Sequence, residues 1–364
     1  MITGLLAVGV NLGIFLALSI WLLISERILV RYGKCTITIN DGSLILEKEG
    51  GITLLTALYE SKVFIPSACG GKATCGYCKV NVVKGGGPIL PTEVPFMSRG
   101  ELRSGTRLAC QIKLKEDIEI TLPEDLLAVK EYRARVSLVK DLTHDIKEIN
   151  LDLIDPPEIK HRPGQYVQIQ APGPEGTVFR AYSISSPDYI KDKIQLIVRL
   201  VPGGIASTYL HNLKEGDEVL FTGPFGEFRL SENPDTAVLC IGGGSGMAPM
   251  ASIIDSIYNK WPDRTCFLFF GCRTTDDVFY LDKFKKMAEE HPNFKVYYAL
   301  SDPLKEDEDW DGETGFIHLS VDKYLPENLD LQTFLCGPPP MIEAVKEVLK
   351  NKGYNPDEAF YDKF

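Results

Sequence analysis

The sequence predicts a multidomain chain: a single N-terminal transmembrane helix, a β-grasp (α+β) domain, an antiparallel β-barrel and a parallel α/β nucleotide-binding domain. Three observations carry this. The first is a run from Ile2 to Ile24 with no charged side chain; the second is a loop that crowds Cys69, Cys75 and Cys78 into ten residues. The third is a glycine run, Gly242-Gly-Gly-Ser-Gly246, that follows the buried-strand pattern Ala237 to Ile241. At 364 residues, 44% of them hydrophobic, the chain is long enough for about two to three domains with their own cores. A net charge of −11 argues against a nucleic-acid partner.

The N-terminal run, assigned to residues 1–26, is long enough to cross ~30 Å of hydrocarbon. Asn11 is its only strongly polar side chain, and Trp21 lies near one end, where interfacial aromatics sit. A secretory signal would want a basic start, a shorter apolar core and a small-residue cleavage site, none of which is evident. Arg27, Arg31 and Lys34 follow at once and nothing basic precedes. The positive-inside tendency therefore predicts a single-pass anchor in the inner (cytoplasmic) membrane, with the remaining domains on the cytoplasmic side.

Residues 33–126 form the α+β domain. Cys35 to Asn40 alternates with period two into Asn40-Asp-Gly42, a hairpin signal, and Leu44 to Leu46 returns. A short helix follows Ile52 or Thr53, then the cysteine loop, then a strand from Lys79 to Val83. Cys110 comes back beside a strand that begins at Arg107. Three close cysteines and one distant one are the 3+1 set of a two-iron, two-sulfur cluster, two thiolates to each iron. The first gap is five residues, one more than in plant-type spacing. Gly70, Gly71 and Gly76 permit positive φ and bring backbone N–H groups to the sulfurs, where hydrogen bonds raise the potential. Structural zinc is the rival reading, but it favours paired C-x₂-C knuckles. The other five cysteines (Cys35, Cys240, Cys266, Cys272, Cys336) are scattered and read as buried small hydrophobes, so the bulk of the chain suits a reducing compartment. Glu124 to Glu131 reads as a linker.

Residues 130–230 carry short β-patterns separated by Gly and Pro turns, at Arg133 to Leu138, Glu148 to Leu153, Gln165 to Gln170, Lys193 to Val198 and Glu218 to Thr222. Arg180-Ala-Tyr182-Ser183 offers a cation for phosphate, a ring for stacking and a hydroxyl, although such a tetrapeptide is more often an ordinary strand. Gly203-Gly-Ile-Ala-Ser207-Thr208 offers donors at an expected helix start. In residues 233–364, strands alternate with helices, and strand, glycine run, helix is a βα unit that binds nucleotide phosphate. The run fails as the G-x-G-x-x-G fingerprint, because Met247 occupies the third position. Cys336-Gly337-Pro338 closes the last apolar strand, where a cysteine is by default packing.

Together and in this order, these motifs resemble the ferredoxin–NADP reductase superfamily. The resemblance implies FAD, with Arg180 on the pyrophosphate, Tyr182 stacked on the isoalloxazine, Ser183 near N5, and Ser207 with Thr208 capping the phosphates. It implies a pyridine nucleotide held at Gly242, Gly243, Gly244 and Gly246, with its nicotinamide beside Cys336, Gly337 and Pro338. Cys336 then places the hydride and is not a nucleophile. An aromatic near the C-terminus is expected to cover the flavin: Phe364, with Phe360 and Tyr361 in reserve and Glu358 as the neighbouring acidic group. After the second strand, Arg273 could take a 2′-phosphate, but Asp276 and Asp277 would repel it. That favours NADH, with Asp276 on the ribose.

Across the whole chain, Gly223-Pro-Phe-Gly-Glu-Phe228, Ile241 to Met250, Ala299 to Leu304, Thr314-Gly-Phe-Ile-His318 and the C-x₅-C-x₂-C spacing resemble the F subunits of the sodium-translocating NADH:quinone reductases. That family implies electron flow from NADH through FAD and the cluster to other membrane redox subunits. A stand-alone tethered reductase serving an oxygenase or another protein acceptor is the alternative. A redox sensor without turnover is a third reading, against which the intact cofactor motifs weigh.

Overall fold

The computed structural model describes residues 11–21, 32–174, 176–302 and 309–363. The expected membrane helix falls largely outside these: residues 11–21 are helical, and among the described residues no helix is long and apolar enough to cross a membrane. The chain divides into two compact units, Met1–Ala128 and Val129–Phe364.

The first unit contains β1 (Lys34–Ile39), β2 (Leu44–Glu49), α1 (Leu54–Glu60), β3 (Lys79–Lys84), α2 (Arg99–Arg103), β4 (Thr106–Leu108), β5 (Ile118–Thr121) and α3 (Glu124–Leu127). Its sheet runs β2-β1-β5-β3-β4, with β1 and β5 parallel and the other pairs antiparallel. Asn40 and Asp41 take left-handed φ of 50° and 54° in the β1–β2 turn, a conformation that short polar side chains tolerate. Thr53 caps α1 by accepting from Thr56 N–H. The apolar face of α1 (Leu54, Ala57, Leu58) closes the core over Ile37, Ile39, Leu108 and Ile120, and Cys78 and Cys110 lie in the same core.

Beside that core sits a buried ion pair, with Arg107 Nη2 2.8 Å from Glu93 Oε2. Nothing on either group is wasted. The guanidinium also donates to the carbonyls of Gly86, Gly87 and Pro88, and the carboxylate accepts from Leu90 N–H and Leu108 N–H. The segment from Gly86 to Pro88, outside any helix or strand, is thereby wrapped around one cation.

The second unit begins with β6 (Lys130–Asp141), β7 (Ile146–Asp155), β8 (Tyr166–Gly173), β9 (Gly176–Ser183), β10 (Lys193–Arg199), α4 (Ile205–His211) and β11 (Glu218–Phe225). The antiparallel order is β10-β7-β6-β11-β8-β9. Its end strands approach through an isolated bridge, Ile184 to Leu196, so the expected barrel is a half-barrel. The inner face is Tyr132, Ile149, Leu151, Ile169, Leu196 and Phe221.

The chain continues through β12 (Ala237–Gly243), α5 (Met247–Lys260), β13 (Cys266–Cys272), α6 (Leu281–Glu290), β14 (Phe294–Leu300), β15 (Glu313–Thr314), α7 (Ile317–Tyr324), β16 (Leu331–Gly337), α8 (Pro339–Asn351) and β17 (Phe360–Lys363). All six strands are parallel in the order β15-β14-β13-β12-β16-β17. Strand order reverses at β12, which makes its carboxyl end the place for a ligand. Half-barrel and α/β layer share a core: Ile146, Ile197 and Phe228 pack with Val238, Met250 and Phe334. Ser252 Oγ donates to Ser186 O at 2.7 Å across the junction, and the Tyr280 hydroxyl donates to Glu148.

Removing one partner of a buried, fully hydrogen-bonded ion pair costs about 3–5 kcal/mol. Arg107→Met is therefore expected to destabilise the first unit by about that amount, read by hydrogen exchange of its core amides in the full chain, while amides of the second unit keep their protection.

Candidate functional site

The cysteine loop supplies the first site. Cys75 Sγ lies 3.3 Å from Cys69 Sγ, and the Cys78 thiol donates to Cys110. Among the described residues, no three of these sulfurs lie within 4.8 Å of one another. A single tetrahedral metal with ~2.3 Å bonds to sulfur would draw all four together; two pairs fit a two-iron cluster, two sulfurs to each iron. The loop aims donors at the sulfurs. Burial pushes the Cys69 thiol up, but hydrogen bonds from Thr74 and Cys75 outweigh it and bring the group down to about 7. For Cys110 the hydrogen bond from Cys78 dominates, partly opposed by burial, and brings it down to about 6; the same bond and burial push Cys78 up. Burial also pushes the Cys75 thiol up; what fits a 2Fe–2S cluster is the pairing of the sulfurs, with backbone donors of Ala73, Thr74, Cys75 and Tyr77 directed at them.

The half-barrel supplies the second. Arg180 and Tyr182 are two apart in β9 and so share a face, as a phosphate cation and a stacking ring require. The Tyr182 ring rests half-buried on the barrel core, where burial pushes its hydroxyl up to about 12. Arg180 Nη1 donates to Phe179 O at 2.7 Å, and Ser183 ends the strand opposite Tyr166. Ser207 departs from expectation: it is buried, and its hydroxyl accepts from Val201 N–H at 3.1 Å and so belongs to the turn before α4. Thr208 is exposed and borders a groove with Gly203 and Gly204. A half-buried ring beside a cation on one strand face fits a flavin dinucleotide.

At the carboxyl ends of β12, β13 and β14 lies a cavity of about 410 Å³, lined among others by Gly243, Gly244, Arg273, Asp277, Pro338 and Met341. Gly242 and Gly243 end β12, and Gly244 to Gly246 form a tight turn against the end of β16. A Cβ on Gly246 would stand 2.1 Å from Cys336 O, so nothing but glycine fits. A Cβ on Gly337 would likewise meet Met341 Cε at 2.5 Å. Cys336 is buried, and burial, with Asp362 adding to it, pushes its thiol well up, so it stays neutral.

Asp276 is not the residue that faces this cavity. It is exposed and outside the lining, whereas Asp277 points in, accepting from Arg273 at 3.0 Å and from Thr274 N–H at 3.1 Å. The short turn of residues 275–277 swings alternate side chains apart, which the sequence pair Asp-Asp does not reveal. Burial pushes Asp277 up, but Arg273 and Thr274 outweigh it and hold the carboxylate below its ordinary range. Arg199, at the end of β10, also lines the cavity and is held by Asp145 at 2.9 Å. His144, Asp145 and Asp277 approach one another, yet both carboxylates are spoken for by arginines.

The tail also differs from expectation. Glu358 is exposed and accepts from Asn355 Nδ2, because Asn355 caps the turn of residues 356–358. Asp362 is the acidic group beside Cys336, across the β16–β17 ladder, and burial pushes it up to about 6. Phe360 stacks on Phe334 at 5.4 Å and belongs to the core; Tyr361 lies under Lys346. Phe364 lies outside the described residues. Sequence reasoning does not find Arg199 and Asp362. The one available signal is a charged residue closing or interrupting an otherwise apolar strand.

The chain matches the family of 2Fe-2S iron-sulfur cluster binding domains over residues 35–115, that of oxidoreductase FAD-binding domains over 133–230 and that of oxidoreductase NAD-binding domains over 240–347. It is 37% identical to the F subunit of the Na(+)-translocating NADH-quinone reductase of Neisseria gonorrhoeae, with 96% of each chain covered. To the same subunit of Pseudoalteromonas atlantica it is 36% identical, over 99% of this chain and 98% of that one. Among solved structures it is similar to the Amycolatopsis cytochrome P450 reductase GcoB, with a TM-score of 0.73 and 31% identity over 91% of this chain and 98% of the other. The ferredoxin reductase in carbazole 1,9a-dioxygenase gives 0.68 and 28%, over 91% and 99%.

Gly246→Ala is expected to push the turn off β16 and to raise the KM for NADH at least tenfold in a flavin-reduction assay, with cluster absorbance unchanged. For Asp362 the ordinary carboxylate value is ~4, and the folded value is about 6. Its contribution to stability is thus fully present below pH ~4 and lost as pH rises through 6. In Asp362→Asn the decline in stability across that window should flatten, as followed by denaturant unfolding at a series of pH values.

Proposed function

The chain belongs to the family of F subunits of the Na(+)-translocating NADH-quinone reductases, and from that premise we propose that it is the NADH-input component of a membrane complex of this kind. It is an NADH oxidoreductase with FAD and 2Fe–2S domains. Its N-terminal segment anchors it in the cytoplasmic membrane, with residues after 26 on the cytoplasmic side and the other subunits of the complex as its electron acceptors. The observation that carries this reading is the pairing of the four cysteines in a chain similar to those F subunits over 96% of its length.

When bound, FAD takes up the two electrons of a hydride and the cluster carries one electron at a time, which together couple NADH to a one-electron acceptor. The chain contributes position and field. Cys69 with Cys75, and Cys78 with Cys110, hold the cluster. Arg180 takes the FAD pyrophosphate, Tyr182 gives the isoalloxazine a stacking face, Ser183 donates near its N5, and Thr208 borders the phosphate groove. Gly242, Gly243, Gly244 and Gly246 bring backbone N–H groups to the NADH phosphates. Cys336, Gly337 and Pro338 form the nicotinamide floor, where a neutral, buried thiol fills space without attacking the ring. Asp277, fixed by Arg273, accepts from a ribose hydroxyl and repels a 2′-phosphate, which favours NADH over NADPH.

The similarity to GcoB and to the dioxygenase reductase favours a second reading, a tethered reductase for a protein acceptor. Gentle detergent extraction of native membranes separates the two. The first reading predicts that integral subunits co-purify with the chain in fixed ratio and that the preparation reduces quinone with NADH. A chain that elutes alone and reduces artificial acceptors but no quinone overturns it in favour of the second.

A further inference from the structure

Thr92 and Glu93 lie within the segment between β3 and α2, and neither ligates anything in the scheme above. Glu93 is 0% exposed and clamped by Arg107, Leu90 N–H and Leu108 N–H, which fixes the backbone of its neighbour. From that fixed point the Thr92 hydroxyl donates to Gln111 Oε1 at 2.8 Å. The other end of the same amide reaches the fourth cysteine: Gln111 Nε2 is 3.3 Å from Cys110 O and 3.8 Å from Cys110 Sγ. A carbonyl oxygen accepts and cannot donate. The NH₂ must therefore lie on the cysteine side, and Thr92 must be the donor to Oε1. The Cys110 carbonyl thus fixes the amide's orientation, and the Thr92 hydroxyl, which can serve either way, takes the donor role that this leaves.

We propose that Gln111 is a positioning residue that sets the reduction potential of the iron centre held by Cys110, with Thr92 holding its amide and the Glu93–Arg107 pair holding Thr92. The proposal rests on the reading that the four cysteines hold a 2Fe–2S cluster. A hydrogen bond to a ligating sulfur disperses thiolate charge and favours the reduced, more negative state, raising the potential. The other donors to these sulfurs include backbone groups of Ala73, Thr74, Cys75 and Tyr77, supplied by the loop whatever its side chains, and the Thr74 side chain at Cys69; at Cys110 the side-chain donor from outside the four cysteines is Gln111. Gln111 gives through its side chain, so here one residue can tune the centre without rebuilding the loop. Gln111 is half-buried and is not part of the unit's hydrophobic core.

The test uses the full-length protein, purified anaerobically, with potentiometric titration followed by electron paramagnetic resonance. Gln111→Met keeps the length of the side chain and removes the donor; Thr92→Val removes the hydroxyl, and Thr92→Ser restores it. The expected result is a cluster potential lowered in Gln111→Met, lowered less in Thr92→Val, and like the parent in Thr92→Ser. The double variant Thr92→Val/Gln111→Met should titrate with Gln111→Met alone, since Thr92 acts through the amide. The flavin potential in the same titrations should stay where it was. A Gln111→Met protein with full iron and sulfide that titrates at the parent potential overturns the proposal, as do Thr92→Val and Gln111→Met shifts that add in full. Should Gln111→Met lose iron, Thr92→Val decides: a lowered potential supports the relay and an unchanged one overturns it. Parent protein without iron and sulfide would instead bring down the cluster reading itself, and the amide's role with it.

Discussion

A loop that must hold two sulfur pairs apart has to run through backbone conformations that ordinary side chains avoid. Gly70, Gly71 and Gly76 take φ of 64°, 86° and 72°, and Ala73 joins them at 55°. Left-handed steps of this kind turn successive N–H groups inward, which is how a short loop presents several donors to sulfur at once. Gly76 is constrained a second time, since a Cβ there would meet Phe96 at 2.8 Å. The rest of the first unit anchors the two ends of this loop. Cys78 and Cys110 are tied by adjacent strands, with Ala109 N–H donating to Cys78 O at 2.8 Å. The Arg107–Glu93 pair secures the strand that delivers Cys110. Since such pairs add little net stability over apolar packing, a role in positioning gives a physical reason for one here.

The nucleotide layer solves a related problem by close approach. Gly246 lets a turn settle on the carbonyl of Cys336, so that the glycine run and the last strand share one floor. The cavity above it is walled on the half-barrel side by Ile146 and Arg199. Arg199 is clamped by Asp145, and Asp277 by Arg273, so the charged groups at the mouth are oriented before any ligand arrives. Such pre-organisation lowers the ordering cost of binding an extended dinucleotide.

Much of this architecture is legible in the sequence because local chemistry and global fold agree. The Asn40-Asp-Gly turn, the Thr53 cap, the cysteine spacing and the strand–glycine–helix unit each have a local physical cause, and each stands where its residues place it. What is not legible depends on side-chain direction or on partners distant in sequence. The pattern of β9 carries no clean alternation, so the strand through Arg180 to Ser183 shows in sequence only as the ordinary alternative to a motif, and the expected barrel is a half-barrel. Asp276 and Asp277 differ by one step around a tight turn, and the geometry of that turn decides which one faces the cavity. Ser207 draws notice for its place near a helix start, but that same place lets its hydroxyl close the preceding turn. Glu358 and Asp362 are both acidic; only the pairing of β17 with β16 tells which lies beside Cys336. Gln111 escapes for the same reason, since its partner Thr92 is brought near by a buried ion pair that spacing alone does not reveal.

The account stands or falls on what the two sulfur pairs hold. Iron and acid-labile sulfide should be determined on anaerobically purified full-length protein, alongside zinc and the spectrum of the dithionite-reduced state. The pairing predicts two irons and two sulfides per chain, no stoichiometric zinc, and a single paramagnetic centre on reduction. One zinc per chain with no sulfide, or one iron bound by all four thiolates, would contradict it.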